Sequence, residues 1–173
     1  MSQPVYNVLF LCTGNSARSI LAEAILSREG QGRFRGYSAG SQPADSINPN
    51  TLTLLKALGY DTAPFRPKSW DEFGAPGAPV MDFIFTVCDD AAGETCPVWP
   101  GHPATSHWSI PDPAKATGTH AEISEVFDET YRLLATSIAA FVSLPLTKLD
   151  RVALHHHLDD ISRMDGGAAS SAA

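Results

Sequence analysis

The chain has 173 residues, 43% of them hydrophobic and 18% charged, which is room for one globular domain with a substantial core. A formal net charge of -7 argues against non-specific nucleic-acid binding, which needs a basic surface, and no apolar run reaches the roughly 18 residues of a membrane span. Three cysteines, an odd count, fit poorly with a secreted disulfide framework, and Val8 to Leu11 is too short for a signal peptide's apolar region, so the expected location is cytoplasmic.

Taken in chain order, Val5 to Leu11 reads as a buried strand ending at Cys12, and a helix is expected from about Ser16 to Arg28, with Ile20, Leu21, Ala24 and Ile25 on one face. Gly36 to Ala39 is a short strand closed by Gly40. Asn48-Pro49 looks like an N-cap followed by proline at the first helical position. That helix carries Leu52, Leu55 and Leu58 inward and stops at Gly59. Four prolines and two glycines between 61 and 79 predict a loop, with at most one helical turn near Trp70 to Phe73. Met81 to Val87 is a second buried strand, ending at Cys88, and a proline-rich stretch surrounds Cys96. Residues 105–110 form a strand leading into "PDP". Ala121 to Leu144 is a long amphipathic helix with Ile123, Phe127, Tyr131, Leu134, Ile138 and Phe141 at spacings of three and four. Pro145 breaks it, and Leu149 to Arg163 is the last helix.

Alternating strands and helices imply an α/β domain, a doubly wound parallel sheet flanked by helices, spanning 1–164. The low-complexity end of the chain, 165–173, is expected to be a disordered tail. Ligands of such sheets sit beyond the carboxyl ends of the strands. Cys12, Cys88 and Asp112 each follow a predicted strand and are therefore expected at one edge.

The stretch "CTGNSARS", 12–19, has the make-up of an anion loop. Backbone N–H groups of Thr13, Gly14, Asn15, Ser16, Ala17, Arg18 and Ser19 gathered at a helix start stabilise negative charge. They favour the Cys12 thiolate over the thiol, whose ordinary pKa is about 8.5. Arg18 brings a planar fork matched to two oxygens of a tetrahedral oxyanion. Ser19 is placed to donate a hydrogen bond to the sulfur. The loop lacks the Gly-Lys-Ser/Thr ending of a nucleotide-binding P-loop. The plainer reading makes Cys12 a buried strand-end residue and Arg18 a surface cation; the strand before and helix after favour catalysis.

"VLFLCTGNSARS", "YSAGS" (37–41), "FTVCDDAAGETCPVWPG" (85–101) and "HWSIPDPA" (107–114) together resemble the low-molecular-weight tyrosine phosphatase superfamily, and most closely its arsenate reductase branch. In both branches the resemblance implies Cys12 as nucleophile, Arg18 as clamp and Asp112 as general acid. Phosphotyrosine phosphatases of this kind carry an aromatic pair after Asp-Pro. Here Pro113 is followed by Ala114 and Lys115, which favours a small inorganic oxyanion: arsenate, with phosphate or sulfate as competing anions.

The reductase branch further implies a thiol relay through Cys12, Cys88 and Cys96. A helical 88–96 stretch would put its two thiols about 12 Å apart, beyond the ~7 Å Cα separation a disulfide tolerates; Gly93, Pro97 and Pro100 suit a segment that unwinds. No tightly bound cofactor is implied, only an external thiol reductant, thioredoxin or glutathione with glutaredoxin. Thioredoxin-linked relatives usually have cysteine where Ala17 stands, and six residues rather than seven between the last two cysteines, which leaves the reductant open. The alternatives are a small-substrate phosphatase, in which Cys88 and Cys96 only pack, and a non-catalytic oxyanion-binding module.

Glu23, Ser38 and Asn15 resemble positions that bind potassium in some relatives. Lys68 or Ser69 of "RPKSWDEF" stands where the remaining acidic ligand is expected, so no metal is assigned and Glu23 is read as orienting the loop. His155, His156 and His157 point in different directions on a helix and form no metal site by themselves.

Overall fold

The computed structural model describes residues 4–87 and 101–172, with side chains described as far as 164. Four strands form one sheet in the order β2-β1-β3-β4, all parallel. They are β1 (Tyr6–Cys12), β2 (Phe34–Gly40), β3 (Phe83–Thr86) and β4 (Ala104–His107). The helices described are α1 (Arg18–Glu29), α2 (Pro49–Ala57), the single turn α3 (Asp71–Gly74), α4 (His120–Val142) and α5 (Arg151–Ala172).

Strand β1 is central because its residues are apolar on both faces. Val8 and Phe10 point into the larger core with Ile20, Leu21, Ile25, Phe83, Phe85, Trp108, Leu134, Ile138 and Phe141. Leu9 and Leu11 face a smaller core made with Ala39, Trp70, Phe73, Met81 and Ile84. A parallel strand covered on both sides has to be a continuous apolar run. Phe85 organises the larger core: its ring stacks on Trp108 at a centroid distance of 4.4 Å and meets Phe141 edge-on at 5.1 Å.

Local chemistry starts the helices where the sequence indicates. The Asn48 side chain accepts from the N–H of Asn50 at 2.9 Å, and Pro49 follows it. Thr119 and Glu122 form a reciprocal capping box at the head of α4. Tyr60 joins α4 to the end of α2 by a 2.7 Å hydroxyl contact with Tyr131, while the Arg28 guanidinium lies 3.4 Å from the centre of the Tyr60 ring.

Several expectations change. Leu58 does not enter the core: α2 ends at Ala57, and Leu58 is 41% exposed as the chain turns out through Gly59 at φ +85°. Strand β2 begins at Phe34, two residues earlier than expected, because it pairs with β1 along its whole length. Strand β4 stops at His107; after one more ladder bond, from the Trp108 N–H to Thr86, the chain leaves the sheet toward α1. The backbone of α5 continues helically beyond Arg163 to Ala172.

The sheet order places the first crossover to one side of β1 and the second to the other. The carboxyl end of β1 is thus a topological switch point, the crevice where open α/β sheets bind ligands. No helix among the described residues is long and apolar enough to cross a membrane.

Candidate active site

Cys12 is the last residue of β1 and is 5% exposed. The loop from Thr13 to Ala17 connects it to Arg18, the first residue of α1. How the loop is held explains what it can bind. The carbonyls of Thr13, Gly14 and Ser16 accept from the N–H groups of Gln42, Ala44 and Asn48 at 2.9, 2.9 and 3.0 Å, and the Thr51 hydroxyl also donates to Ser16 at 3.1 Å. Across a trans peptide, the next residue's N–H points opposite to the carbonyl. The N–H groups of Gly14, Asn15 and Ala17 therefore turn away from the 42–51 segment.

Helix α1 begins without a side-chain cap at Ala17 and without an acidic residue in its first turn. Its leading N–H groups and the positive end of its dipole are available to an anion. This matters in a chain of net charge -7, where attraction for an anion has to be made locally.

Asn15 fixes the shape of the loop. It is fully buried in the left-handed conformation at φ +49°, which asparagine tolerates better than most residues. Its Oδ1 accepts from the backbone N–H of Lys68 at 2.9 Å and its Nδ2 donates to the Ser19 hydroxyl at 2.8 Å. Because Ser19 accepts there, its own hydroxyl proton remains to be donated.

Arg18 reaches across to the loop after β4. Its Nη1 donates to the carbonyl of Ile110 at 2.9 Å and its Nη2 lies 3.5 Å from Oδ2 of Asp112. Asp112 is the N-cap of a short 3-10 turn, Pro113–Lys115, and its Oδ1 accepts from the Ala114 N–H at 2.9 Å. The Asp112 carboxylate is thus oriented by one oxygen and faces Arg18 with the other. Nearby, the Thr86 hydroxyl and Nδ1 of His107 are 2.7 Å apart, joining the ends of β3 and β4.

Behind the loop lies a buried charged group. Glu23 on α1 accepts from the Ser38 hydroxyl at 2.5 Å, and the Lys68 ammonium donates to the Ser38 carbonyl at 2.9 Å, 3.9 Å from the Glu23 carboxylate. Burial pushes the Glu23 carboxyl above its ordinary value, opposed by the Ser38 hydrogen bond and by Lys68. Burial likewise lowers Lys68, with Glu23 acting against it.

Cys12, the 13–19 loop, Arg18 and Asp112 are thus brought to one edge of the sheet. Cys88 and Cys96 lie outside the described residues. Sequence reading missed Gly40, where a Cβ would come within 2.4 Å of the Thr13 carbonyl and 3.0 Å of the Cys12 carbonyl. It also missed the Ile110 carbonyl and the backbone of Lys68. The only sequence signal was glycine in "YSAGS", read as the end of a strand rather than as room for the loop.

Residues 7–152 match the family described as low molecular weight phosphotyrosine protein phosphatase. An arsenate reductase from Shouchella clausii is 35% identical over 134 residues, covering 78% of this chain and 93% of that protein. Among solved structures, an arsenate reductase from Archaeoglobus fulgidus is 27% identical with a TM-score of 0.57, covering 76% of this chain and 98% of that one. A thioredoxin-dependent arsenate reductase from Corynebacterium glutamicum is 29% identical with a TM-score of 0.53, covering 80% of this chain and 64% of that one.

Proposed function

This chain belongs to the low-molecular-weight phosphotyrosine protein phosphatase family, and we propose that within it the chain works as an arsenate reductase whose nucleophile is Cys12. The observation that carries this reading is the meeting of Cys12, the loop from Thr13 to Ala17 and the Arg18–Asp112 pair at the switch point of the sheet. The 35% identity to an arsenate reductase favours arsenic over phosphate esters as the working substrate. So does the Pro113-Ala114-Lys115 turn, which offers no aromatic wall to a phenolic substrate.

In the first step the Cys12 thiolate attacks arsenic while the loop N–H groups and Arg18 hold the equatorial oxygens. Asp112 gives its proton to the departing hydroxyl of arsenate, which leaves as water, and a sulfur–arsenic(V) bond remains. A second thiolate, assigned to Cys88 from the sequence, attacks the Cys12 sulfur. The sulfur–arsenic bond breaks with its electron pair on arsenic, so arsenite departs and a Cys12–Cys88 disulfide forms. Cys96 then attacks Cys88, freeing Cys12 as thiolate and leaving a Cys88–Cys96 disulfide. An external dithiol reduces that disulfide; thioredoxin is favoured by the Corynebacterium relative, with glutaredoxin and glutathione the other source. The odd cysteine count and the need for a reducing partner support a cytoplasmic location.

Replacing Cys88 by serine tests the relay. It should abolish thioredoxin-driven arsenate reduction while sparing hydrolysis of a small phosphate ester, which needs only Cys12, Arg18 and Asp112. Loss of neither activity would remove Cys88 from the relay.

A further inference from the structure

Lys68 is held to the back of the oxyanion loop by both its main chain and its side chain. Its N–H donates to Asn15, its carbonyl accepts from Gly40 at 2.9 Å, and its ammonium rests on the Ser38 carbonyl beside Glu23. The Lys68 and Glu23 side chains are only 10% and 14% exposed. A carboxylate, a carbonyl and a hydroxyl gathered away from water make a site for a monovalent cation. That position already carries a covalently attached one: a metal ion bound by Glu23 and Ser38 would meet the ammonium. The residues here therefore do not fit the potassium ion that the resemblance suggests.

We propose that Lys68 is a positioning residue whose ammonium acts as a built-in cation, neutralising Glu23 behind the loop so that Asn15, Ser19 and the loop N–H groups present an uncompensated positive field to Cys12 and the oxyanion. The proposal rests on the reading of the 12–19 loop as an oxyanion site. Its physical content is a charge balance. Without Lys68, a buried carboxylate stands behind a loop that binds a dianion, in surroundings where charges are weakly screened. Without Glu23, a bare ammonium stands there instead and favours the anion. A purely structural role predicts loss in both cases; the charge role predicts opposite signs.

The test follows alkylation of Cys12 by iodoacetamide across pH, quantified on the Cys12 peptide by mass spectrometry, with and without inorganic phosphate as the probe. Lys68→Met should weaken phosphate protection by about tenfold and move the alkylation profile to higher pH. Lys68→Arg and the doubly neutral Lys68→Met/Glu23→Gln should recover most of the loss. Methylammonium should partly rescue Lys68→Met and leave the double variant unchanged. Glu23→Gln alone should hold or tighten phosphate protection, and it carries the test if Lys68→Met does not fold. An unchanged Lys68→Met, a double variant no better than Lys68→Met, or weakened protection in Glu23→Gln would each overturn the proposal. Wild type decides the underlying reading separately: absence of phosphate protection there would remove the oxyanion loop itself, and the proposal with it.

Discussion

The guanidinium of Arg18 grips the loop that carries Asp112: Nη2 stands 3.5 Å from Oδ2 of Asp112 while Nη1 holds the Ile110 carbonyl at 2.9 Å. On the proposed reading, the residue that clamps the oxyanion also sets the position of the group that protonates it. Lysine keeps the charge but lacks the planar fork to do both. Arg18→Lys should lower kcat/KM for arsenate on the order of 10²-fold or more, with an unchanged circular dichroism spectrum. A loss below about threefold would mean that charge alone is enough.

Asp112 caps the Pro113–Lys115 turn with one oxygen and faces Arg18 with the other. Its replacement by asparagine keeps the cap acceptor for the Ala114 N–H but removes the proton. Asp112→Asn should cut turnover by roughly 10²–10⁴-fold with little change in phosphate inhibition. Equal losses in turnover and in inhibition would assign Asp112 to binding instead.

Gly40, the last residue of β2, is packed against the loop. A methyl group there would meet backbone carbonyls of Thr13 and Cys12 rather than the end of a flexible side chain. Gly40→Ala should cost about 1–3 kcal/mol of stability and weaken phosphate binding together with it, read by denaturant unfolding and by protection of Cys12. Retained anion binding in a destabilised variant would show that the loop adapts.

Asn15→Ala deletes two hydrogen bonds, one buried and one partly buried, and leaves alanine at φ +49°. Together these should cost about 2–4 kcal/mol, a fall of roughly 6–12 °C in Tm for a chain of this size. Asn15→Gly relieves the backbone while losing the same bonds, so it should be the milder of the two. The reverse order would mean that the left-handed backbone at residue 15 contributes little strain.

Glu23 gives the fold a pH dependence of definite sign. Its folded pKa is raised above the ordinary carboxylate value of 4.5, chiefly by burial. Between that value and its raised folded value the native state holds more protons than the unfolded state, so stability falls as pH rises through this window. Glu23→Gln removes the term. The stability of wild type relative to Glu23→Gln should therefore decline from pH 4 to pH 7 in urea titrations; a relative rise would mean that Lys68 and Ser38 outweigh burial.

The sequence made the sheet readable because doubly covered parallel strands are apolar runs, as in Val8 to Leu11 and Phe83 to Phe85. Leu58 misled because helical spacing does not reveal that α2 ends one residue earlier, at Ala57. Cys12, the 13–19 loop and Arg18 were legible as one candidate site because a strand, a loop and a helix start are adjacent in sequence and chemically distinctive, and Asp112 because it follows another strand of the same parallel sheet. The supports were not. Gly40 matters through a close approach, Ile110 through a carbonyl, and Lys68 through contacts with Asn15, Ser38 and Glu23, all made by segments remote in sequence.

The most direct measurement is a single turnover of the fully reduced chain with arsenate and no added thiol, quantifying arsenite and mapping disulfides by mass spectrometry. The account predicts about one arsenite per chain with Cys88 and Cys96 oxidised together, and none from Cys12→Ser. Arsenate left unreduced, both without thiol and after addition of thioredoxin or glutathione, by a protein that still hydrolyses a small phosphate ester, would contradict it and leave a phosphatase.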